Sequence, residues 1–122
     1  MTNPDGWDEL WMDDKVDFVV SYDDLSYQDI ACAHEDDEEC HERDSERAYR
    51  EGITCISSSY RDPATSERKF ANSVGGFIGN DWEGSGYDED VKQSAIDAYS
   101  KALAKFQQRE RVKMLVSLGA GQ

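Results

Sequence analysis

Strands are predicted where hydrophobic and polar side chains alternate. Residues 16–22 read VDFVVSY, so that every second side chain from Val16 is apolar or aromatic, as in a half-buried strand. Residues 53–60, ITCISSSY, favour a second strand, with a helical or irregular form as the alternative because of the three serines. The sequence FIG at 77–79 predicts a short third strand.

Helical spacing is clearest near the end of the chain. Over 88–118, Val91, Ala95 and Tyr99 begin an apolar stripe at helical spacing. Acidic residues at the start of this segment and basic residues toward its end suit the helix dipole. A long C-terminal helix is therefore predicted, followed by a frayed tail at 119–122.

Two earlier regions also predict helices. Residues 26–33 begin with a capping-box pattern, and 35–51 carry opposite charges four residues apart, with Gly52 as a stop. Asp62-Pro63 is typical of a helix start, and Gly75-Gly76 would end that helix.

Together these elements predict a single α+β domain over residues 1–122. It combines a small antiparallel sheet with about three helices, of which the C-terminal one is longest. A mostly helical fold is the alternative, because the strand at 53–60 carries the weakest pattern.

Charge is distributed unevenly along this domain. Residues 1–51 hold 18 carboxylates and four basic residues, whereas residues 52–122 hold nine of each. The whole net charge of −14 therefore lies in an acidic N-terminal part, followed by a charge-neutral scaffold over 52–118. Tryptophans and other large apolar residues among the acids indicate that this part folds.

Composition excludes several functions. No stretch approaches 18 apolar residues, so no membrane span is predicted, and the first fifteen residues lack a secretory signal, which favours the cytoplasm. Phosphates would repel so acidic a chain, which argues against direct binding of nucleic acid or an anionic membrane. Phosphate-binding loops and nucleophile motifs are absent, so we expect neither an enzyme nor a cofactor.

A zinc site is one alternative that the sequence leaves open. Zinc takes four cysteine or histidine ligands. All the cysteines and histidines of the chain are Cys32, His34, Cys40, His41 and Cys55. Their spacing differs from that of paired C-x2-C motifs, so partly buried thiols and surface histidines are favoured. Residues 81–92 match a calcium-binding EF-hand loop in part, but Lys92 stands where a glutamate is needed.

The acidic part is itself the candidate site. As a helix, residues 35–51 would span about 25 Å, with nine carboxylates against three arginines. That net charge is close to the roughly seven phosphates of one DNA strand over the same length. We therefore predict a non-enzymatic inhibitor that binds the nucleic-acid-binding groove of a basic protein. The predicted partner-binding residues are Trp7, Trp11, Asp13, Asp14, Asp17, Asp23, Asp24, Glu35, Asp36, Asp37, Glu38, Glu39, Glu42, Asp44 and Glu46, with Trp82 as a further anchor.

In composition the chain resembles small phage-encoded inhibitors of host defence, such as anti-restriction and anti-CRISPR proteins, many of which are acidic DNA mimics. The resemblance is one of type and carries over no motif or residue. It implies a protein–protein interaction in the host cytoplasm. The alternative is a structural or assembly subunit with a merely solvated acidic face. The apolar end of the last helix, from Val112 to Leu118, exceeds one narrow stripe and would dock either on the core or on a second copy of the chain as a homodimer contact.

Overall fold

The computed structural model describes residues 3–23 and 46–120. Within them the chain has the predicted α+β fold, with three strands and three helices. The elements in chain order are α1 (Trp7–Met12), β1 (Val16–Asp23), α2 (described over 46–51), β2 (Ile53–Arg61), β3 (Arg68–Ile78) and α3 (Tyr87–Ala120). The long C-terminal helix is thereby confirmed.

The three strands form one antiparallel sheet in the order β1-β2-β3. Val16 pairs with Tyr60 and Asp23 with Ile53, so β1 follows β2 along its length. Both strands predicted by alternation are confirmed, and the mostly helical alternative is wrong. The serines of β2 suit a central strand here because the hydroxyl of Ser58 donates a 2.6 Å hydrogen bond to the carbonyl oxygen of Val91 in α3.

The helix predicted from Asp62-Pro63 to Gly75-Gly76 is wrong. Asp62 instead opens a hairpin turn, in which its carboxylate accepts the backbone N–H of Ala64 at 2.9 Å and its carbonyl oxygen accepts that of Ser66 at 2.8 Å. The following residues form β3, which includes residues 77 and 78 of the short strand predicted at 77–79 and ends before Gly79. Aspartate and proline favour both helix starts and turns, so the local signal did not distinguish them.

Irregular pairing with β2 explains why most of β3 was not predicted. Thr54 pairs with Phe77 but Ile56 pairs with Val74, so β3 has one extra residue between these pairs. Gly76, with φ of 85°, lies in this bulge, where a left-handed backbone is easiest for glycine. A second irregularity between Ser58 and Ser59 shifts the alternation again.

Helix α3 packs on one face of the sheet and forms the main core. Ile56 of the central strand and Val91 of α3 are both fully buried. Ala95 and Tyr99 of the predicted apolar stripe pack with Ile96, Trp7 and Val16 in a buried cluster. Full burial of a valine or isoleucine side chain, such as those of Val91 and Ile56, contributes about 1.5–3 kcal/mol to stability.

A turn at Gly52 links α2 to β2. Its φ of 86° is left-handed and its N–H donates to the carbonyl oxygen of Ala48 at 2.8 Å, which ends the helix as predicted. A Cβ at this position would lie 3.0 Å from the ring of Tyr22. The helix predicted over 26–33, and residues 35–45 of the next one, fall outside the described residues.

The end of α3 extends beyond the sheet. Its 34 residues span about 51 Å, whereas the nine residues of β2 span about 30 Å. Residues 107–117 are all exposed, and the helix continues to Ala120, into the predicted tail. None of the described helices is long and apolar enough to cross a membrane.

We predict that Ile56→Ala lowers the free energy of unfolding by about 2–5 kcal/mol, because it opens a cavity under α3 where the side chain is fully buried. Urea denaturation followed by circular dichroism measures this. Val19→Ala is the matched control, since Val19 is half exposed on the opposite face of β1, and should cost less than about 1 kcal/mol. Equal losses in the two variants would contradict this core.

Candidate functional site

The structure divides the predicted partner-binding residues into two groups. Trp7, Trp11, Asp13, Asp14, Asp17, Asp23 and Glu46 lie within the described residues. Asp24, Glu35, Asp36, Asp37, Glu38, Glu39, Glu42 and Asp44 lie outside them. The described group itself contains residues that hold the fold together and residues that face solvent.

Trp7 is a core residue. Only 3% of it is exposed, and it packs with Val16, Ala95 and Tyr99. Trp11 stacks on it with ring centroids 5.9 Å apart and is 47% exposed. Of these two tryptophans, Trp11 therefore offers the larger surface to a partner.

Trp82 packs against the sheet beside a lysine. Its ring lies 5.6 Å from that of Phe18, and the ammonium of Lys92 lies 4.7 Å above the same Phe18 ring. Lys92 also lies 5.6 Å over Trp7 and donates to the side-chain oxygen of Asn3 at 2.7 Å. This lysine therefore ties the N-terminal segment and α1 to α3.

Asp14 has a structural role. It adopts a left-handed backbone, with φ of 58°, and ends α1 in a Schellman motif, in which Asp14 N–H donates to Trp11 O and Lys15 N–H donates to Leu10 O. Its two carboxylate oxygens accept hydrogen bonds from Arg61 at 2.6 Å and Arg68 at 2.8 Å. These bonds, that from Arg61 first, lower the pKa of Asp14 below its ordinary value of 3.8.

Four carboxylates around α1 face solvent instead. Asp5, Asp8, Glu9 and Asp13 are exposed and have no ion pair with a described residue. Glu89, also exposed, lies one turn before Lys92 on the side of α3 that faces α1. We call these five residues the acidic flank. Four of its charges lie on or next to α1, which Trp7 anchors in the core, and the fifth lies in the first turn of α3.

Asp17, Asp23 and Glu46 lie apart from this flank. Asp17 is half-buried on the sheet face opposite α3, and its carboxylate accepts the N–H of Phe18 at 2.9 Å. Asp23 ends β1 opposite Ile53. Glu46 is exposed at the start of the described part of α2.

Arg47 fixes α2 against the rest of the fold. Its guanidinium donates to both carboxylate oxygens of Asp81, at 2.9 and 3.2 Å, and to Glu51 at 3.0 Å. These hydrogen bonds raise the pKa of Arg47 above its ordinary value. Below them Ala48 packs with Ile53 and Ile78 in a second small core. The predicted acidic helix is therefore held to the scaffold at its C-terminal end.

The metal alternatives gain no support from the described residues. Cys55 is half-buried in β2, with its sulfur 3.7 Å from the carbonyl oxygen of Ile56, and the other four candidate zinc ligands lie outside these residues. No group of three or more metal-ligating side chains occurs over 3–23 and 46–120. In the calcium-like loop, Arg47 occupies both oxygens of Asp81.

One charged group was not predicted from the sequence. Lys69, Lys101, Lys105 and Arg109 line a cleft between α3 and the β2–β3 turn, on the flank of α3 opposite α1. The four-residue spacing of the three helical bases was a visible signal. The wrong helix over 62–76 hid their proximity to Lys69.

Comparisons with protein-family models, with curated proteins and with solved structures found no match to this chain.

We predict that Asp14→Asn destabilises the protein at neutral pH and that the loss disappears in acid. Because the folded-state pKa of Asp14 is lowered, its stabilisation is present above about pH 4 and is lost as the pH falls through the folded-state pKa. Asparagine retains the shape and tolerates the left-handed backbone. Urea denaturation at a series of pH values measures the difference.

Asp13→Asn is the matched control for this experiment. Asp13 is exposed at the C-terminus of α1 and has no ion pair with a described residue, so its neutralisation should change stability little at any pH. A loss for Asp14→Asn that stays constant down to pH 2 would contradict the assigned ion pairs.

Proposed function

We propose that this chain is a non-enzymatic inhibitor that binds the nucleic-acid-binding groove of a basic protein in the host cytoplasm, as an anti-restriction or anti-CRISPR protein would. The observation that carries the proposal is the acidic flank. Its carboxylates are exposed and have no ion pair with a described residue, although the same chain contains 13 lysines and arginines.

Rigid attachment makes this flank suited to recognition. Trp7 in the core and Lys92 bonded to Asn3 hold α1 on α3, so the backbone that carries these carboxylates is fixed on the scaffold. Charges arranged in advance bind a complementary surface with less ordering cost than charges on a disordered tail. The exposed face of Trp11 beside them supplies apolar contact area.

The sequence extends the same charge into residues 24–45. This segment contains nine carboxylates and one arginine, and it continues directly into α2, which Arg47 attaches to the scaffold. Attraction between this charge and a phosphate-binding groove would accelerate association and weaken as salt is added.

We predict that neutralising the acidic flank weakens inhibition by about tenfold at low salt, since exposed ion pairs contribute modestly each. Cleavage of DNA by restriction endonucleases and CRISPR nucleases, with and without the protein, measures this. The flank variant is Asp5→Asn, Asp8→Asn, Glu9→Gln and Asp13→Asn. A second variant, neutralised at Asp36, Asp37, Glu38 and Glu39, tests the segment 24–45 and should weaken inhibition by the same factor.

The matched control removes the same number of charges elsewhere. It is Glu67→Gln, Glu83→Gln, Asp97→Asn and Glu110→Gln, all at exposed positions. This variant should inhibit nearly as well as the original protein. Equal weakening in control and flank variants would show that only total charge matters and would overturn the proposal, as would failure to bind any enzyme of the panel at low salt.

A self-assembling subunit is the second candidate, and the end of α3 favours it. Val112, Met114, Leu115 and Val116 are each more than half exposed on the part of α3 that extends past the sheet. Arg109, Arg111 and Lys113 flank them with positive charge. A second copy of the chain, with its own acidic flank, offers both apolar and negative surface to this end.

We predict under this candidate that the chain sediments as a dimer at micromolar concentration and that Leu115→Glu converts it to a monomer, because a buried carboxylate would be unpaired in the contact. Sedimentation velocity measures this. Gln107→Glu adds the same charge at another exposed position of α3 and should leave the dimer intact. A monomer at all concentrations would exclude this candidate.

A further inference from the structure

The cleft opposite the acidic flank has the size of a small-molecule site. Its volume is about 380 Å³, within the range of ligand pockets. Lys69 from β3 and Lys101, Lys105 and Arg109 from α3 line it, together with Tyr60 and Phe106. We call it the basic cleft.

Its positive charge is largely uncompensated. Asp62, the acidic residue of the lining, pairs with Lys69 at 3.3 Å and accepts the N–H of Ala64 with its other oxygen. Lys101, Lys105 and Arg109 have no ion pair with a described residue. Like charges four residues apart disfavour a helix, so an anion in the cleft would relieve a repulsion that is present in its absence.

The fold keeps the carboxylate of Asp62 ionised and bonded to partners within the protein. The hydrogen bond from Ala64, followed by the charges of Lys69 and Arg109, lowers the pKa of Asp62 below its ordinary value of 3.8. Its carboxylate is thus directed at the turn and at Lys69. It forms no ion pair with the three bases of α3, so their N–H donors are available to an anion.

The overall negative charge of the chain does not cancel this local field. Lys101 and Arg109 are eight residues apart, about 12 Å along the helix. Glu89, the member of the acidic flank on α3, precedes Lys101 by 12 residues, about 18 Å along the helix. At physiological ionic strength charges are screened over about 8 Å, so an anion in the cleft responds mainly to the bases that line it.

We propose that the basic cleft binds a small phosphorylated molecule with two or more negative charges. Arginine matches the oxygens of a phosphate with its planar fork, and lysines add compact charges beside it. Tyr60 and Phe106 are half-buried in the wall and provide an apolar surface for the organic part of a phosphate ester. The proposal is independent of the acidic flank and of its partner.

Isothermal titration calorimetry at physiological ionic strength tests the proposal, with tripolyphosphate and ATP as the probes. The cleft variant is Lys101→Gln with Lys105→Gln. We expect the original protein to bind at least one probe and the cleft variant to bind it about tenfold or more weakly, because charged hydrogen bonds are lost. Equal affinity for the two probes means that the phosphates alone are recognised, and tighter binding of ATP means that the apolar wall contacts the nucleoside. Both results support the proposal.

The matched control is Arg50→Gln with Arg111→Gln, which removes two exposed positive charges away from the cleft. Its affinity should stay within about twofold of the original. Unchanged thermal unfolding by circular dichroism confirms that both variants fold. Equal weakening in the two variants, or no binding of either probe by the original protein, overturns the proposal. Self-association that the cleft variant alone abolishes would identify carboxylates of a second copy as the occupant and would also overturn it.

Discussion

The packing of α3 on the central strand is the contact on which the rest of the structure depends. Ile56 and Val91 are fully buried where the two elements meet, and Ser58 adds a hydrogen bond to the helix backbone at the same place. α1 has no core of its own and is held because Trp7 packs with Val16 of β1 and with Ala95 and Tyr99 of α3. The position of every charged surface therefore follows from how α3 lies on the sheet.

That position separates the charges. α1 fills the space between α3 and β1, and its exposed side carries the acidic flank. On the other flank of α3, the β2–β3 turn forms the basic cleft. The ion pairs of Asp14 with Arg61 and Arg68 join the end of α1 to the β2–β3 hairpin. An acidic residue of the N-terminal part and two basic residues of the charge-neutral part therefore hold α1 and the hairpin together. Net charge alone would not predict this arrangement, because the arrangement depends on which charged side chains form ion pairs within the protein.

Periodicity predicted those elements whose apolar side chains recur at the spacing of a strand or a helix without interruption. β1 and α3 were found because one face of each is continuously apolar, and Gly52 marked the end of α2 correctly. Only the end of β3 was predicted, because its pairing with β2 contains two irregularities and the turn at Asp62 resembles a helix start. Within the predicted site, sequence did not distinguish buried Trp7 from exposed Trp11, or ion-paired Asp14 from unpaired Asp13. These differences arise from long-range contacts, which a local pattern does not contain.

The proposed function requires that the negative charge that binds a basic partner is confined to one part of the protein surface. The most direct measurement is a titration of the ¹⁵N-labelled chain with an arginine-rich decapeptide, followed by amide chemical shifts. The account predicts shifts in α1, in residues 24–45 and in the first turn of α3, with little change at 62–69 and 98–109. Shifts spread evenly over all exposed carboxylates, or centred on the basic cleft, would contradict it.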